Sequence, residues 1–210
     1  FCSQERQPEA EKSGSFATVA LPAPLDHIRQ AVGHRFDIER AIGQGGMGTV
    51  YLARDRQLDR PVALKVLPAE YTQQSDLRER FLRETRTAAA FSHPNIVPVF
   101  SIEDHGDVLA YAMGFVEGET LAELVARGGP MPVRDVVRML QDIGYALAYA
   151  HGRGVVHRDI KPDNIMIERA TGRALLMDFG ISRSVKTSAL KTDTSTALTR
   201  VDEVVGTPEF

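Results

Sequence analysis

Apolar positions along the chain fall into runs whose period changes. Between Phe36 and Val66 the runs are short, with β-branched and aromatic members. They are Ile38 to Ile42, Thr49-Val50-Tyr51-Leu52-Ala53 and Val62-Ala63-Leu64-Lys65-Val66-Leu67. Broken by a glycine cluster and the polar turn Asp55–Arg60, they predict three strands. From Ser75 to Phe91 the step lengthens: Leu77, Phe81, Leu82, Ala88 and Phe91 predict a helix. His93-Pro94-Asn95 ends it, and a strand begins at Ile96-Val97. Val108 to Val116 predicts another strand. Pro132 to Arg153 predicts a core helix, with Val133, Val136, Val137, Leu140, Ile143, Leu147 and Ala150 at three- and four-residue steps. Ahead of all this, residues 1–24 are rich in Glu, Gln, Ser, Ala and Pro without a period and read as linker. A short helix is expected over Leu25–Val32.

Composition narrows the class. The 210 residues are 43% hydrophobic and 25% charged, ordinary for a globular chain. A net charge of −3 makes no case for nucleic acid or an anionic membrane surface. The single cysteine, Cys2, rules out an internal disulfide and suits a reducing compartment. No apolar run reaches the roughly 18 residues of a membrane helix.

Two stretches carry chemistry. Gly43-Gln44-Gly45-Gly46-Met47-Gly48 has the G-x-G-x-x-G spacing, which on its own is weak evidence. A dinucleotide site needs a helix directly after the glycines, whereas here a strand follows. The loop is therefore expected at a hairpin tip, where backbone N–H groups approach phosphates without Cβ clashes. The second stretch runs from His157 to Gly180. It holds His157-Arg158-Asp159-Ile160-Lys161-Pro162-Asp163-Asn164, then Ile165-Met166-Ile167, then Asp178-Phe179-Gly180. Asp159 suits proton acceptance from a hydroxyl, and Lys161 suits a transferring phosphoryl oxygen. Asn164 and Asp178 offer hard oxygen ligands for Mg²⁺. Phosphoryl transfer asks for these parts, because the protein mainly positions groups and neutralises charge.

The two stretches, in this order and at this spacing, resemble the motifs of protein kinases, nearest to the bacterial Hanks-type Ser/Thr kinases, over roughly Arg35 to Phe210. The resemblance implies an α+β fold of two lobes with ATP between them. Residues 1–33 would be a linker, 34–117 a β-rich lobe with its hinge, and 118–210 a mainly helical lobe cut within the activation segment. It implies Mg-ATP (or Mn-ATP) as phosphoryl donor and protein Ser/Thr as acceptor. Lys65 would hold the nonreacting phosphates, oriented by Glu84, under a roof of Gly43, Gly45, Gly46 and Gly48. Met113 would be the gatekeeper, with the backbone of Gly114 and Val116 on adenine. Many relatives carry Glu at position 114, so a looser hinge is expected. Ile42, Val50, Ala63, Met166 and Met177 would sandwich the purine. His157 would pack under Phe179 without acid–base chemistry.

Regulation follows from the same likeness. Ser184 to Thr199 holds eight Ser/Thr in sixteen positions, as an activation loop would. Arg158, read as a buried cation, would receive a phosphate on Thr199, with Arg183 and Arg80 as further donors. Lys161 and Thr207 would shape a Ser/Thr acceptor site, and autophosphorylation in trans would use a homodimer. The catalytic domain is expected in the cytoplasm. The chain reads as a fragment, poorly active alone, with any membrane anchor or sensor domain outside it. A small-molecule phosphotransferase would lack Lys161 and the Gly206-Thr207 segment, and a pseudokinase would lack at least one of Lys65, Asp159, Asn164 or Asp178.

Overall fold

The computed structural model describes residues 25–45 and 48–179. A five-stranded antiparallel sheet comes first: β1 (Phe36–Gly45), β2 (Gly48–Asp55), β3 (Arg60–Val66), β4 (Val99–His105) and β5 (Val108–Gly114), in the order β1-β2-β3-β5-β4. Strand β3 is almost continuously apolar because both of its faces are covered. Val62, Leu64 and Val66 join Ala110 and Ala112 of β5 on one face, and Ala63 joins Leu109, Tyr111 and Met113 on the other. Alternation along the two strands thereby puts Lys65, Tyr111 and Met113 on one surface.

Helix α1 (Leu25–Val32) forms as expected, but it is no free-standing linker. Ile28 and Val32 sink into the first face of the sheet and cover apolar area that β1, β2 and β3 would otherwise expose. The other face receives α2 (Glu70–Gln73) and α3 (Ser75–Ala89), through Tyr71, Leu77 and Phe81. Beyond the sheet lie β6 (Gly118–Thr120), α4 (Leu121–Gly128), α5 (Val133–His151), β7 (Ile165–Glu168) and β8 (Ala174–Leu176), the three strands pairing as β6-β7-β8. Met139, Ile143, Ala146 and Ala150 of α5 pack on Ile165, Leu176 and Phe91. The expected core helix is corrected in three of its apolar positions: Val133, Val137 and Leu140 are exposed, and Met139, Ile143, Ala146 and Ala150 form its buried face. Among the described residues no helix is long and apolar enough to cross a membrane.

The segment after α3 fastens the two halves together. Leu176 N donates to Asn95 O at 2.8 Å, Val97 N donates to Leu176 O at 2.9 Å, and the Asn95 carboxamide donates to Ala174 O at 2.9 Å. Below this ladder, Phe179 lies edge-on to Phe91 (5.1 Å) and against His157 (4.7 Å). His157 is 1% exposed, and one tautomer satisfies both of its contacts. Its Nε2–H donates to Met177 O at 2.8 Å, while Nδ1 accepts from Asp159 N at 3.3 Å. A proton on Nδ1 would set two donors against each other. Burial accordingly lowers the His157 pKa, against the raising effect of the Met177 carbonyl and of Asp178 and Asp159.

With a folded pKa below the unfolded value of about 6.5, the unfolded chain holds more protons in the window between them. Stability is fully present above about 6.5 and falls as pH drops through that window. His93, lowered by burial and by Arg153, acts in the same direction. Thermal unfolding from pH 7.5 to 5 should show this loss, and His157→Gln should flatten it. An unchanged slope in that variant would place the effect elsewhere.

Candidate active site

The glycine loop is the tip of a hairpin. β1 and β2 are antiparallel, and their last described pair is Gly45 opposite Gly48. Gly48 has φ +107°, and a Cβ there would lie 2.0 Å from Val66 O, so only glycine fits. Gly46 falls outside the described residues, as do Gly180, Arg183, Thr199 and Thr207.

The expected purine pocket assembles in part. Val50, Ala63, Met113, Val116, Met166 and Met177 belong to one apolar cluster with Tyr111 and Phe81. Ala63 stands opposite Met113 across the β3–β5 ladder. Ile42 lies outside the cluster and is 36% exposed. Gly114 is held by its N–H, which donates to Pro98 O at 2.9 Å.

Asp159, Lys161 and Asn164 form one knot. Asn164 is buried in the 3₁₀ turn Pro162–Asn164, where Pro162 at the first position suits the turn. Its Nδ2 donates to Asp159 O at 2.8 Å and to Asp159 Oδ2 at 3.0 Å. With both amide donors turned to Asp159, the atom left for another partner is the carbonyl oxygen Oδ1. Lys161 Nζ lies 3.2 Å from the same Asp159 Oδ2. Met177 N donates to Asn164 O at 3.0 Å, which sets the residue before Asp178 beside the knot.

Asp178 closes the site. Lys65 Nζ reaches Asp178 Oδ2 at 2.6 Å, and Tyr111 Oη donates to Asp178 Oδ1 at 2.6 Å. Both side chains of the ion pair are 6% exposed. Burial acts to push the Asp178 carboxyl up. The Lys65 ammonium, with hydrogen bonds from Lys65 and Tyr111, outweighs it and holds the carboxyl below the usual carboxylate range. Burial first, then the Asp178 charge and hydrogen bond, push the Tyr111 phenol well above its ordinary value. Glu84 lies on the side of α3 that also carries Phe81 and Ala88 and is half-buried. Lys65 makes an ion pair with Asp178, 113 residues away. Tyr111 escaped the sequence reading because it sits inside an apolar strand. Its two-residue spacing from Met113 was the available signal.

Arg158 needs a correction. It is exposed, where a buried cation was expected. Its φ of +70° is the reason: a left-handed residue between His157 and Asp159 turns the chain so that His157 enters the core and Arg158 does not. Asp178, at φ +61°, is the second left-handed non-glycine residue of this stretch. Such backbone costs of order 1–3 kcal/mol and persists where surrounding contacts fix it.

The donor set fits Mg²⁺: a carboxylate at Asp178 and a carboxamide oxygen at Asn164 are the hard oxygens that ion takes.

Comparison with known proteins agrees with this geometry. A family model described as the protein kinase domain matches residues 36–210. The serine/threonine-protein kinase PrkC of Bacillus subtilis is 37% identical over 183 residues, covering 87% of this chain and 27% of that protein. The serine/threonine-protein kinase PknJ of Mycobacterium tuberculosis is 47% identical over 158 residues, covering 74% of this chain and 27% of the relative. The crystal structure of the Mycobacterium tuberculosis PknI kinase domain superposes with a TM-score of 0.64 at 36% identity, over 70% of this chain and 60% of that one. The chain spans about a quarter of the length of these curated relatives. Residues 36–210 make this chain a member of the protein kinase family, on its bacterial Hanks-type serine/threonine branch.

Proposed function

We propose that the protein transfers the γ-phosphoryl group of Mg-ATP to Ser or Thr of protein substrates. The observation that carries this reading is the Asp159–Lys161–Asn164 knot tied through Met177 to Asp178. Asp159 orients the acceptor hydroxyl and takes its proton as the new oxygen–phosphorus bond forms and the bond to the leaving ADP oxygen breaks. Lys161 neutralises charge on the transferring group. Lys65 leaves Asp178 for the nonreacting phosphates, positioned by Glu84. Asn164 and Asp178 would hold Mg²⁺ (or Mn²⁺), which supplies charge neutralisation on the phosphates. Adenine sits on the cluster of Val50, Ala63, Met113 and Met166, against the backbone of Gly114 and Val116, with Ile42 and the glycines Gly43, Gly45, Gly46 and Gly48 above. Phosphothreonine at Thr199 meets Arg158, and an exposed arginine still gives charge-assisted hydrogen bonds. Thr207 shapes the acceptor site, and the loop reaction in trans uses a second copy of the chain.

Asp159→Asn, in the intact protein that carries this chain, should lower turnover of a Ser/Thr substrate by about 10²–10⁴-fold. Unchanged turnover refutes the assignment, and phosphotyrosine as the main product refutes the Ser/Thr acceptor. Asp178 is engaged at both oxygens, so Mg²⁺ competes with Lys65 and Tyr111. A hydrogen bond to a charged group contributes about 1.5–3 kcal/mol, so Tyr111→Phe should lower the Mg²⁺ concentration for half-maximal activity by about tenfold or more. An unchanged or raised requirement shows that Tyr111 does not compete. Mass spectrometry of autophosphorylated protein should find Thr199 modified, and Thr199→Ala should lose most activity; full activity in that variant moves the switch elsewhere.

A further inference from the structure

Three groups with metal-ligand chemistry meet at the far edge of the sheet. His34 stands in the turn between α1 and β1, and Glu103 and His105 lie on β4. One ligand atom from each falls within 4.8 Å of the other two. We propose that His34, Glu103 and His105 form a binding site for a divalent transition-metal ion of the zinc class, which fastens the α1–β1 turn to β4.

The geometry of Glu103 carries the proposal. Its side chain is 6% exposed, and its two oxygens are divided between tasks. Oε1 accepts from Ser101 Oγ at 2.9 Å and from Arg35 Nη1 at 3.2 Å, which fixes the carboxylate plane as an outer shell fixes a metal ligand. Oε2 faces His105 Nε2 at 3.2 Å. That separation is at the long end of an N–H···O bond. Metal–ligand bonds of about 2.0–2.2 Å arranged as a tetrahedron put neighbouring ligand atoms roughly 3.3 Å apart, so the Glu103–His105 pair is already spaced as two such ligands would be. The His34 ring stands at 77° to the His105 ring, with centroids 5.1 Å apart. His34 is exposed, with its ligand atom within 4.8 Å of the other two, so a turn of its ring can close the set.

Charge points the same way. Arg35 is shared between two buried carboxylates, Glu103 at 3.2 Å and Asp55 at 3.7 Å. Glu103 and Asp55 together carry one formal negative charge beyond what Arg35 answers, which favours a bound cation. Two imidazoles and one carboxylate favour zinc, copper or nickel over the hard ions of the nucleotide site. Three protein ligands leave a fourth position for water. The metal would close a contact that already has a neighbour, His27 Nε2 lying 2.7 Å from Asp107 Oδ2 at the β4–β5 turn.

The test is calorimetric titration of the full chain with Zn²⁺ alone, paired with thermal unfolding, in a Cys2→Ser background. One equivalent should bind and raise the unfolding midpoint by several degrees. Affinity should fall by at least about tenfold in both His34→Ala and His105→Ala. It should persist in Asp178→Asn, which separates this site from the nucleotide metal. Co²⁺ in place of Zn²⁺ should give visible bands that vanish in the two histidine variants. No saturable binding, or binding that survives either histidine replacement, overturns the proposal. His34 and His105 both lie at the surface edge, and circular dichroism of the variants establishes that any loss is not unfolding.

Discussion

A lysine pointing into the protein from the middle of a sheet must find a negative charge, and much of this architecture follows from that demand. Lys65 is on the strand with neighbours on both sides, 5% exposed, and it meets Asp178. Removing one partner of such a pair typically costs about 3–5 kcal/mol, since the other charge is left buried and alone. The pair therefore draws the end of β8 up against the sheet. Tyr111, one strand over, is placed by register opposite Lys65 and takes the second carboxylate oxygen. The left-handed backbone of Asp178 is tolerated because these two partners, with Phe179 packed between Phe91 and His157, over-determine its position.

A second level of organisation is backbone pairing at short range in space and long range in sequence. The run Asn95 to Val97 bonds to β8, β8 bonds to β7, and Met177 bonds back to Asn164. Each link is an ordinary hydrogen bond. Together they place Asp159, Lys161, Asn164 and Asp178 within one patch. None of the four has to be positioned by its own loop.

Much of this was legible in the sequence. Strands β1, β2, β3 and β5 and helices α1, α3 and α5 announced themselves by period and composition, and the knot residues by their clustering. Other features were hidden for identifiable reasons. Helix α4 carries a capping box, with Thr120 and Glu123 each bonding the other's backbone, but its eight residues give the apolar period too little length to stand out. Tyr111 looked like strand filling because a phenol is apolar on average. Arg158 looked buried from its place directly before Asp159, whereas it is exposed on a left-handed backbone that no sequence pattern announces. The apolar face of α5 read as uniformly buried, since periodicity reports the width of a stripe and not how many partners cover it.

Gly114 shows what such packing means for how this chain diverges. The strand residue leading to the hinge was expected to loosen it. Its N–H is bonded to Pro98 O, and a Cβ built on it would lie 3.1 and 3.2 Å from atoms of the Pro98 ring. A side chain at position 114 therefore asks the Pro98 ring to give by a few tenths of an ångström. A side chain at 114 is accommodated as far as the Pro98 ring can shift, so substitutions at 114 and 98 should be energetically coupled, the effect of one depending on the other.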